Sequence, residues 1–135
     1  MSGYTFPAKF EYLDEIRELV ATVARKGGFS EKAIYSLQLA ADEAASNIIE
    51  HAYEENPKEK LYITCDIKGN EIIITMRDTG KPFDSSSVKQ PNLSANLSER
   101  QIGGLGVYLM KKLMDTVHYE SSKSGNVLTM TKRKE

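Results

Sequence analysis

The sequence predicts an α/β fold in which helices cover one face of a mixed β-sheet. Apolar residues recur every three or four positions in three segments and alternate in several shorter runs, as in amphipathic helices and half-buried strands. The resulting order is β-α-α-β-β-loop-α-β-β, and helices interleaved with hairpins favour two packed layers. At 135 residues and without an internal repeat, the chain is expected to form one domain over residues 1–135.

The N-terminal part is predicted to contain one strand and two helices. Residues 4–8 suit a short edge strand, where proline is tolerated. Residues 12–26 have helical apolar spacing, and the glycines at 27–28 end that helix. Ser30 is a suitable N-cap for a second helix, which is expected to run to about residue 53. The stripe expected to pack this helix on the sheet consists of Ile34, Leu37, Ala41, Ala44, Ile48 and Ala52.

Two hairpins and a third helix follow. Residues 60–67 and 71–77 are rich in β-forming residues, and a turn at 68–70 joins them. The remaining predicted elements are a helix over residues 106–116 and two strands over 116–120 and 127–131, separated by a turn at 121–126.

A long polar segment lies between the second hairpin strand and the third helix. Residues 79–102 show no sustained period, and structureless loops longer than about 12–15 residues are usually functional or disordered. Its place before a glycine-rich helix start favours a lid over a ligand at about 81–102. The alternative is a surface insertion without a role.

Composition excludes several classes of protein. Lys and Arg total 18 against 19 Asp and Glu, so no overall basic field would draw the chain to nucleic acid or an anionic membrane. The single cysteine, Cys65, excludes an internal disulfide framework and a cysteine-based zinc cluster, and its strand-like surroundings predict a core residue. No apolar run approaches membrane-spanning length, and no leader pattern opens the chain. We expect a cytoplasmic protein.

The second helix contains a carboxylate and a carboxamide one turn apart. Glu43, Asn47 and His51 are spaced by four and should stack beside the buried stripe. An asparagine oxygen suits Mg²⁺, which takes few protein ligands together with phosphate oxygens and water. A neighbouring glutamate could orient or deprotonate a group that attacks a γ-phosphate. The alternative is a solvated helix face, with His51 near the helix C-terminus.

Two further motifs suit a nucleotide. Asp78 ends an apolar strand, where a carboxylate needs donors such as an exocyclic amine, and Gly80 would let a flat base approach the backbone. The glycines of the segment 103–106 would leave backbone amides free for phosphate at a helix N-terminus. A turn and a hinge are the respective alternatives, so it is the ordered combination of motifs that indicates a nucleotide site.

These motifs together resemble the Bergerat-fold ATPases (the gyrase, Hsp90, histidine-kinase and MutL superfamily). Within that superfamily the chain looks like the anti-sigma-factor serine/threonine kinases of bacterial partner-switching systems, over nearly its whole length. The matching segments are Glu43-x-x-x-Asn47-x-x-x-His51, Thr75-Met-Arg-Asp78-x-Gly80 and Gly103-Gly-Leu-Gly-Val-Tyr-Leu-Met-Lys-Lys-Leu-Met-Asp115.

The resemblance implies a mostly antiparallel sheet covered by about three helices, with ATP between the helices and the lid. Glu43 would be the base for a serine hydroxyl and Asn47 the Mg²⁺ ligand, while Asp78 would bind the adenine amine. The other nucleotide contacts would come from Gly80, Gly103, Gly104, Leu105 and Gly106. The implied partners are a STAS-type anti-anti-sigma protein, a sigma factor and a second copy of the chain.

Two departures from the family pattern bear on the lid. Lys81 and Pro82 follow Gly80 where many relatives have a second glycine, which would stiffen the hinge. Arg100 lies three residues before Gly103, near the place of a lid arginine that assists the γ-phosphate in some members. The alternative function is a stand-alone ATP-binding regulatory module with little or no kinase activity. A third reading, a helix-covered regulatory domain without ATP, does not account for the three motifs.

Overall fold

Over the residues that it describes, a computed structural model shows five strands in one antiparallel sheet, with helices packed on one of its faces. The structure describes residues 3–52, 60–79, 104–122 and 125–134. Its elements are β1 (Gly3–Pro7), a 3-10 turn (Phe10–Tyr12), α1 (Leu13–Lys26), α2 (Glu31–Asn47), a π-helix (Ile48–Ala52), β2 (Lys60–Lys68), β3 (Glu71–Asp78), α3 (Gly104–Leu113), β4 (Thr116–Ser122) and β5 (Gly125–Arg133).

The strands are ordered β1-β2-β3-β5-β4 across the sheet. All four pairings of the described strands are antiparallel, so the parallel pairing that a mixed sheet would contain is absent from this part of the chain. The fifth strand returns between β3 and β4, and its register places Asn126 opposite Asp78. The C-terminal end of β3 therefore meets the N-terminal end of β5.

Alternation along the central strands separates a buried face from an open face. The buried positions are Leu61, Ile63 and Cys65 on β2, Ile72, Ile74 and Met76 on β3, and Leu128 and Met130 on β5. Cys65 is 2% exposed and is therefore a core residue, as predicted. Burial raises the pKa of its thiol to about 12, so little of the reactive thiolate forms. Asp78 and Asn126 continue the buried alternation at the strand ends.

The helical layer is centred on α2, which packs against α1 and α3 and touches β3. Small side chains allow this close packing, because Ala40, Ala41, Ala44 and Ala45 are all fully buried. The predicted stripe is confirmed at Ile34, Leu37, Ala41, Ala44 and Ile48. The predicted cap is confirmed as well, since the Ser30 hydroxyl accepts a hydrogen bond from the Ala33 amide over 3.1 Å.

Three elements, α3, β4 and β5, have bounds that differ from the predictions. Helix α3 covers Gly104–Leu113 instead of 106–116. It ends early because the backbone that follows pairs with the sheet, where the Asp115 amide donates a hydrogen bond to the Thr131 carbonyl. The last hairpin is longer than predicted: β4 reaches Ser122 and β5 begins at Gly125. Asn126, predicted to lie in a turn, is therefore a strand residue held between β3 and β4.

Candidate functional site

Glu43 and Asn47 lie at the C-terminal end of α2, where the sequence places them one turn apart. Both are partly buried, and the alanines between them, Ala44 and Ala45, are fully buried. Because residues four apart on an α-helix lie on the same side, the carboxylate and the amide are neighbours beside the packed stripe. This is the boundary position that the sequence predicted, with one flank of each residue in the protein and the other open.

The surroundings of Glu43 favour its protonated form more than water does. Burial raises the pKa of this carboxyl group, and the negative charges of Asp42 and Glu50 raise it further. A carboxylate with a raised pKa binds a proton more strongly than an ordinary glutamate. Glu43 is thereby better suited to accept a proton from a hydroxyl group near neutral pH.

An ion pair ties α1 to the turn of α2 that carries Glu43. The Arg17 guanidinium donates to the Asp42 carboxylate and also pairs with Asp14 on its own helix. The Gln38 amide adds a hydrogen bond of 3.3 Å to the Arg17 carbonyl. Sequence reasoning missed the link between the two helices because Arg17 and Asp42 are 25 positions apart. It opposes one of the two negative charges that act on Glu43.

The amide of Asn47 has an unused hydrogen-bonding position inside the protein. Its Nδ2 is buried and has no partner in the described part of the chain. Because the two ends of an amide are nearly equal in size, a half-turn brings the carbonyl oxygen to the same position. A buried amide atom without a partner in the protein suits a bound group, either a cation at the oxygen or an anion at the nitrogen.

Donor chemistry at this position fits Mg²⁺ bound with phosphate. The described residues contain no group of three or more His, Cys, Asp or Glu side chains that could enclose a metal by themselves. Mg²⁺ typically keeps waters and substrate phosphates and takes only one or two protein ligands. A single amide oxygen from Asn47 is consistent with that pattern.

The helix changes its geometry immediately after Asn47. The residues Ile48–Ala52 form a π-helix, with hydrogen bonds from residue i to i+5. The predicted stacking of three residues assumed α-helical spacing throughout, and this assumption holds only for Glu43 and Asn47. His51 lies in the wider π-helical turn, so the α-helical argument does not place it above Asn47. Short π-helical segments occur frequently at functional sites.

Asp78 is buried at the end of β3, on the face of the sheet that the helices cover. It is 3% exposed, and its Oδ1 accepts a hydrogen bond of 2.7 Å from the Asn126 amide. The prediction that this carboxylate would need donors was correct in its physics, but the sequence did not reveal this donor. Asn126 lies 48 positions away and was predicted to lie in a turn; its only signal was the glycine before it, which marks the strand start.

A cavity of about 370 Å³ lies beside this pair of strand ends. Its lining residues are Tyr62, Arg77, Asp78, Thr79, Gly125, Asn126 and Val127. Alternation along the strands places Tyr62, Arg77 and Val127 on the open face, opposite the helices. The cavity is therefore lined by open-face side chains together with the Asp78–Asn126 pair at the strand ends.

The glycine segment lies in the first turn of α3. Gly104, Leu105 and Gly106 are helical, so the helix begins two residues before Gly106, where the sequence predicted its start. The first four amides of a helix have no acceptor within it, so these residues still offer N–H groups to an anion. The remaining predicted positions, Gly80, Gly103, Arg100 and the lid at 81–102, lie outside the described residues.

Comparison with known proteins identifies the family. Residues 6–132 match the family described as Histidine kinase-like ATPase domain. The serine-protein kinase RsbW of Bacillus licheniformis is 36% identical over 132 residues, covering 93% of this chain and 81% of that protein. RsbW of Oceanobacillus iheyensis is 32% identical over 141 residues, covering 98% of this chain and 89% of that protein. RsbW of Bacillus subtilis is 34% identical over 131 residues, covering 93% of this chain and 81% of that protein.

Solved structures agree on the fold. The RsbU and RsbW domains of a Mycobacterium tuberculosis protein give a TM-score of 0.65 at 14% identity, over 99% of this chain and 33% of that one. The catalytic domain of the histidine kinase ThkA gives a TM-score of 0.59 at 17% identity, over 99% of both chains. The predicted two-layer fold is thereby confirmed. The chain belongs to the histidine kinase-like ATPase family and, within it, to the anti-sigma-factor serine/threonine kinases represented by RsbW.

Proposed function

We propose that this chain is an ATP-dependent protein-serine kinase that phosphorylates a STAS-type anti-anti-sigma partner and, in another state, binds and silences a sigma factor. Support comes from relatives named serine-protein kinase that are 32–36% identical over nearly the whole chain. The observation that carries the proposal is Glu43, a partly buried carboxylate with a raised pKa, one helical turn before Asn47.

Glu43 is the proposed base. Its ionised carboxylate accepts the proton of the partner's serine hydroxyl as the hydroxyl oxygen attacks the γ-phosphorus of ATP. The bond between the γ-phosphorus and the β–γ bridging oxygen breaks, and ADP leaves. The raised pKa makes the carboxylate a better acceptor, while the remaining exposed flank lets the substrate approach. When bound, Mg-ATP supplies the phosphoryl group.

The nucleotide is proposed to lie between the helices and the sheet. Asn47 holds Mg²⁺ through its amide oxygen, and Asp78 accepts a hydrogen bond from the adenine amine. Backbone amides at the start of α3 bind the phosphates. The proposed set of nucleotide contacts is Asn47, Asp78, Gly80, Gly103, Gly104, Leu105 and Gly106.

The wider arrangement is part of the same proposal. The chain acts as a single ATPase domain over residues 1–135, with a lid at about 81–102 and a homodimeric state. It works in the cytoplasm, without direct contact to nucleic acid or membrane. Among the described residues, no helix combines the length and the apolar character needed to traverse a lipid bilayer.

The test is transfer of γ-phosphate from Mg-ATP to serine on STAS-domain proteins encoded near this chain's gene. Replacement of Glu43 by glutamine should lower the transfer rate by about 10²- to 10⁴-fold, the usual contribution of a general base. The dissociation constant for Mg-ATP should change little, because Glu43 is not a proposed nucleotide ligand.

Glu31→Gln is the matched control. It makes the same substitution in the first turn of α2, on a side chain that is 77% exposed, and should transfer phosphate at the wild-type rate. Tight ATP binding by the wild-type protein without transfer to any candidate would favour the ATP-binding regulatory module instead. Failure to bind any adenine nucleotide would exclude both functions.

A further inference from the structure

A chain of hydrogen bonds joins three side chains at the strand ends that carry Asp78. The Ser121 hydroxyl donates to Asn126 Oδ1 over 2.7 Å, and Asn126 Nδ2 donates to Asp78 Oδ1 over 2.7 Å. Asn126 is 1% exposed. In the part of the chain that the structure describes, Asp78 and Asn126 are the only polar or charged residues that are fully buried.

The chemistry of the carboxylate fixes the direction of this chain. An ionised carboxylate only accepts hydrogen bonds, so the nitrogen end of the Asn126 amide must face Asp78. The oxygen end then faces Ser121, whose hydroxyl is able to donate. Reversing the amide would place two oxygens 2.7 Å apart and would require a proton on Asp78. Ser121 and Asp78 therefore hold the amide in a single orientation.

This polar pair occupies a kind of position that the same two strands also fill with apolar residues. The two residues are cross-strand partners between β3 and β5, and the neighbouring core positions, Met76 and Leu128, form such a pair with apolar side chains. Replacing a buried hydrogen-bonded pair by apolar groups of the same shape is often neutral for stability. The presence of a carboxylate and a carboxamide at this buried position therefore points to a role in ligand binding.

We propose that Asn126 is the positioning residue that sets the nucleobase preference of the site. Its donated hydrogen bond favours the ionised form of Asp78, and an ionised carboxylate selects a base that presents an amine. Adenine carries such an amine. Guanine presents a carbonyl oxygen at the same position, and this oxygen cannot form a hydrogen bond with the Asp78 carboxylate because both groups are acceptors. This inference rests on the proposed function, because it assumes that Asp78 meets the base.

A glycine beside Asn126 supports this assignment. A Cβ atom added to Gly125 would lie 2.4 Å from the Asp78 carbonyl oxygen, and the φ angle of this glycine is +134°. The backbones of β3 and β5 can therefore approach each other here only because residue 125 has no side chain. The close approach sets the distance over which the Asn126 amide reaches the carboxylate.

The test measures dissociation constants of Mg-ATP and Mg-GTP by titration calorimetry. The wild-type protein should prefer ATP. Asn126→Leu retains the approximate size of the side chain but donates no hydrogen bond, and it should lower the ATP:GTP preference by about tenfold or more. Val127→Thr is the matched control, since its side chain lies on the opposite face of β5, and it should keep the wild-type preference.

Ser121→Ala tests the same chain at an exposed residue. Removing its hydroxyl takes away one of the two hydrogen bonds that position the Asn126 amide against Asp78, and the ATP:GTP preference should fall by about two- to fivefold. This variant decides the question if Asn126→Leu fails to fold. An unchanged preference in the folded variants would overturn the role of Asn126 while leaving ATP binding intact. A wild-type protein that binds neither nucleotide would overturn the proposed function as well.

Discussion

Replacement of Asp78 by asparagine should weaken Mg-ATP binding by roughly 10- to 150-fold and leave Mg-GTP binding unchanged or slightly stronger. The substitution keeps the size of a side chain that is 3% exposed, so it creates no cavity. The new amide can retain the hydrogen bond from Asn126 Nδ2 only by presenting its oxygen to that donor. Its own nitrogen then replaces the second carboxylate oxygen, and an acceptor becomes a donor.

The magnitude follows from the proposed contact that is lost. A hydrogen bond to a charged group contributes about 1.5–3 kcal/mol, and each 1.4 kcal/mol corresponds to a factor of ten in the dissociation constant. The adenine amine would meet a second donor, whereas the guanine oxygen would gain one. The bond from Asn126 changes from charge-assisted to neutral, which should lower the free energy of unfolding by about 1 kcal/mol.

The assay is calorimetric titration of both nucleotides, with urea unfolding as a check on the fold. Asp115→Asn is the matched control, because that carboxylate accepts a hydrogen bond of 2.6 Å from the Arg133 amide. It removes the same charge from a hydrogen-bonded aspartate and should keep the nucleotide preference. If both nucleotides weaken equally in Asp78→Asn, Asp78 is a structural residue and the assignment of the base is wrong.

Two further predictions concern the base and the strand ends. Asp42→Asn should lower the pKa of Glu43, because the negative charge of Asp42 raises that pKa. Since Glu43 acts only when ionised, the acid limb of the pH profile of the phosphotransfer rate should move to lower pH. Asp14→Asn should leave that limb in place, and an unmoved limb in Asp42→Asn would contradict the electrostatic argument. Gly125→Ala should lower the free energy of unfolding by about 2–3 kcal/mol, from the backbone clash and the positive φ. Gly69 has a φ of +63°, but a Cβ atom added to it would meet nothing within 4 Å. Gly69→Ala should therefore lower the free energy of unfolding by only about 1 kcal/mol. Equal losses for the two variants in urea unfolding would refute the clash at Gly125.

Local patterns in the sequence were sufficient for most of the fold. Apolar residues that recur with periods of 3.6 and 2 located the helices and strands, because an element that buries one face must place its apolar residues at that spacing. Ser30 was a recognisable cap for α2, and Glu43 and Asn47 were placed together because both lie in one helix. The end of that helix was less predictable: the π-helix after Asn47 has no local signal and changes the setting of His51.

The remaining features depend on residues that are distant in sequence. Asn126 became a strand residue because it pairs with Asp78 and Ser121, and α3 ends where the sheet captures the next segment. Arg17 reaches Asp42 only because α1 packs on α2. The sequence by itself thus determined the elements and the reactive groups that they carry, since those follow from local spacing. The tertiary structure alone decided the partner of each group, because hydrogen bonds and ion pairs between separate strands and helices form only when those elements pack.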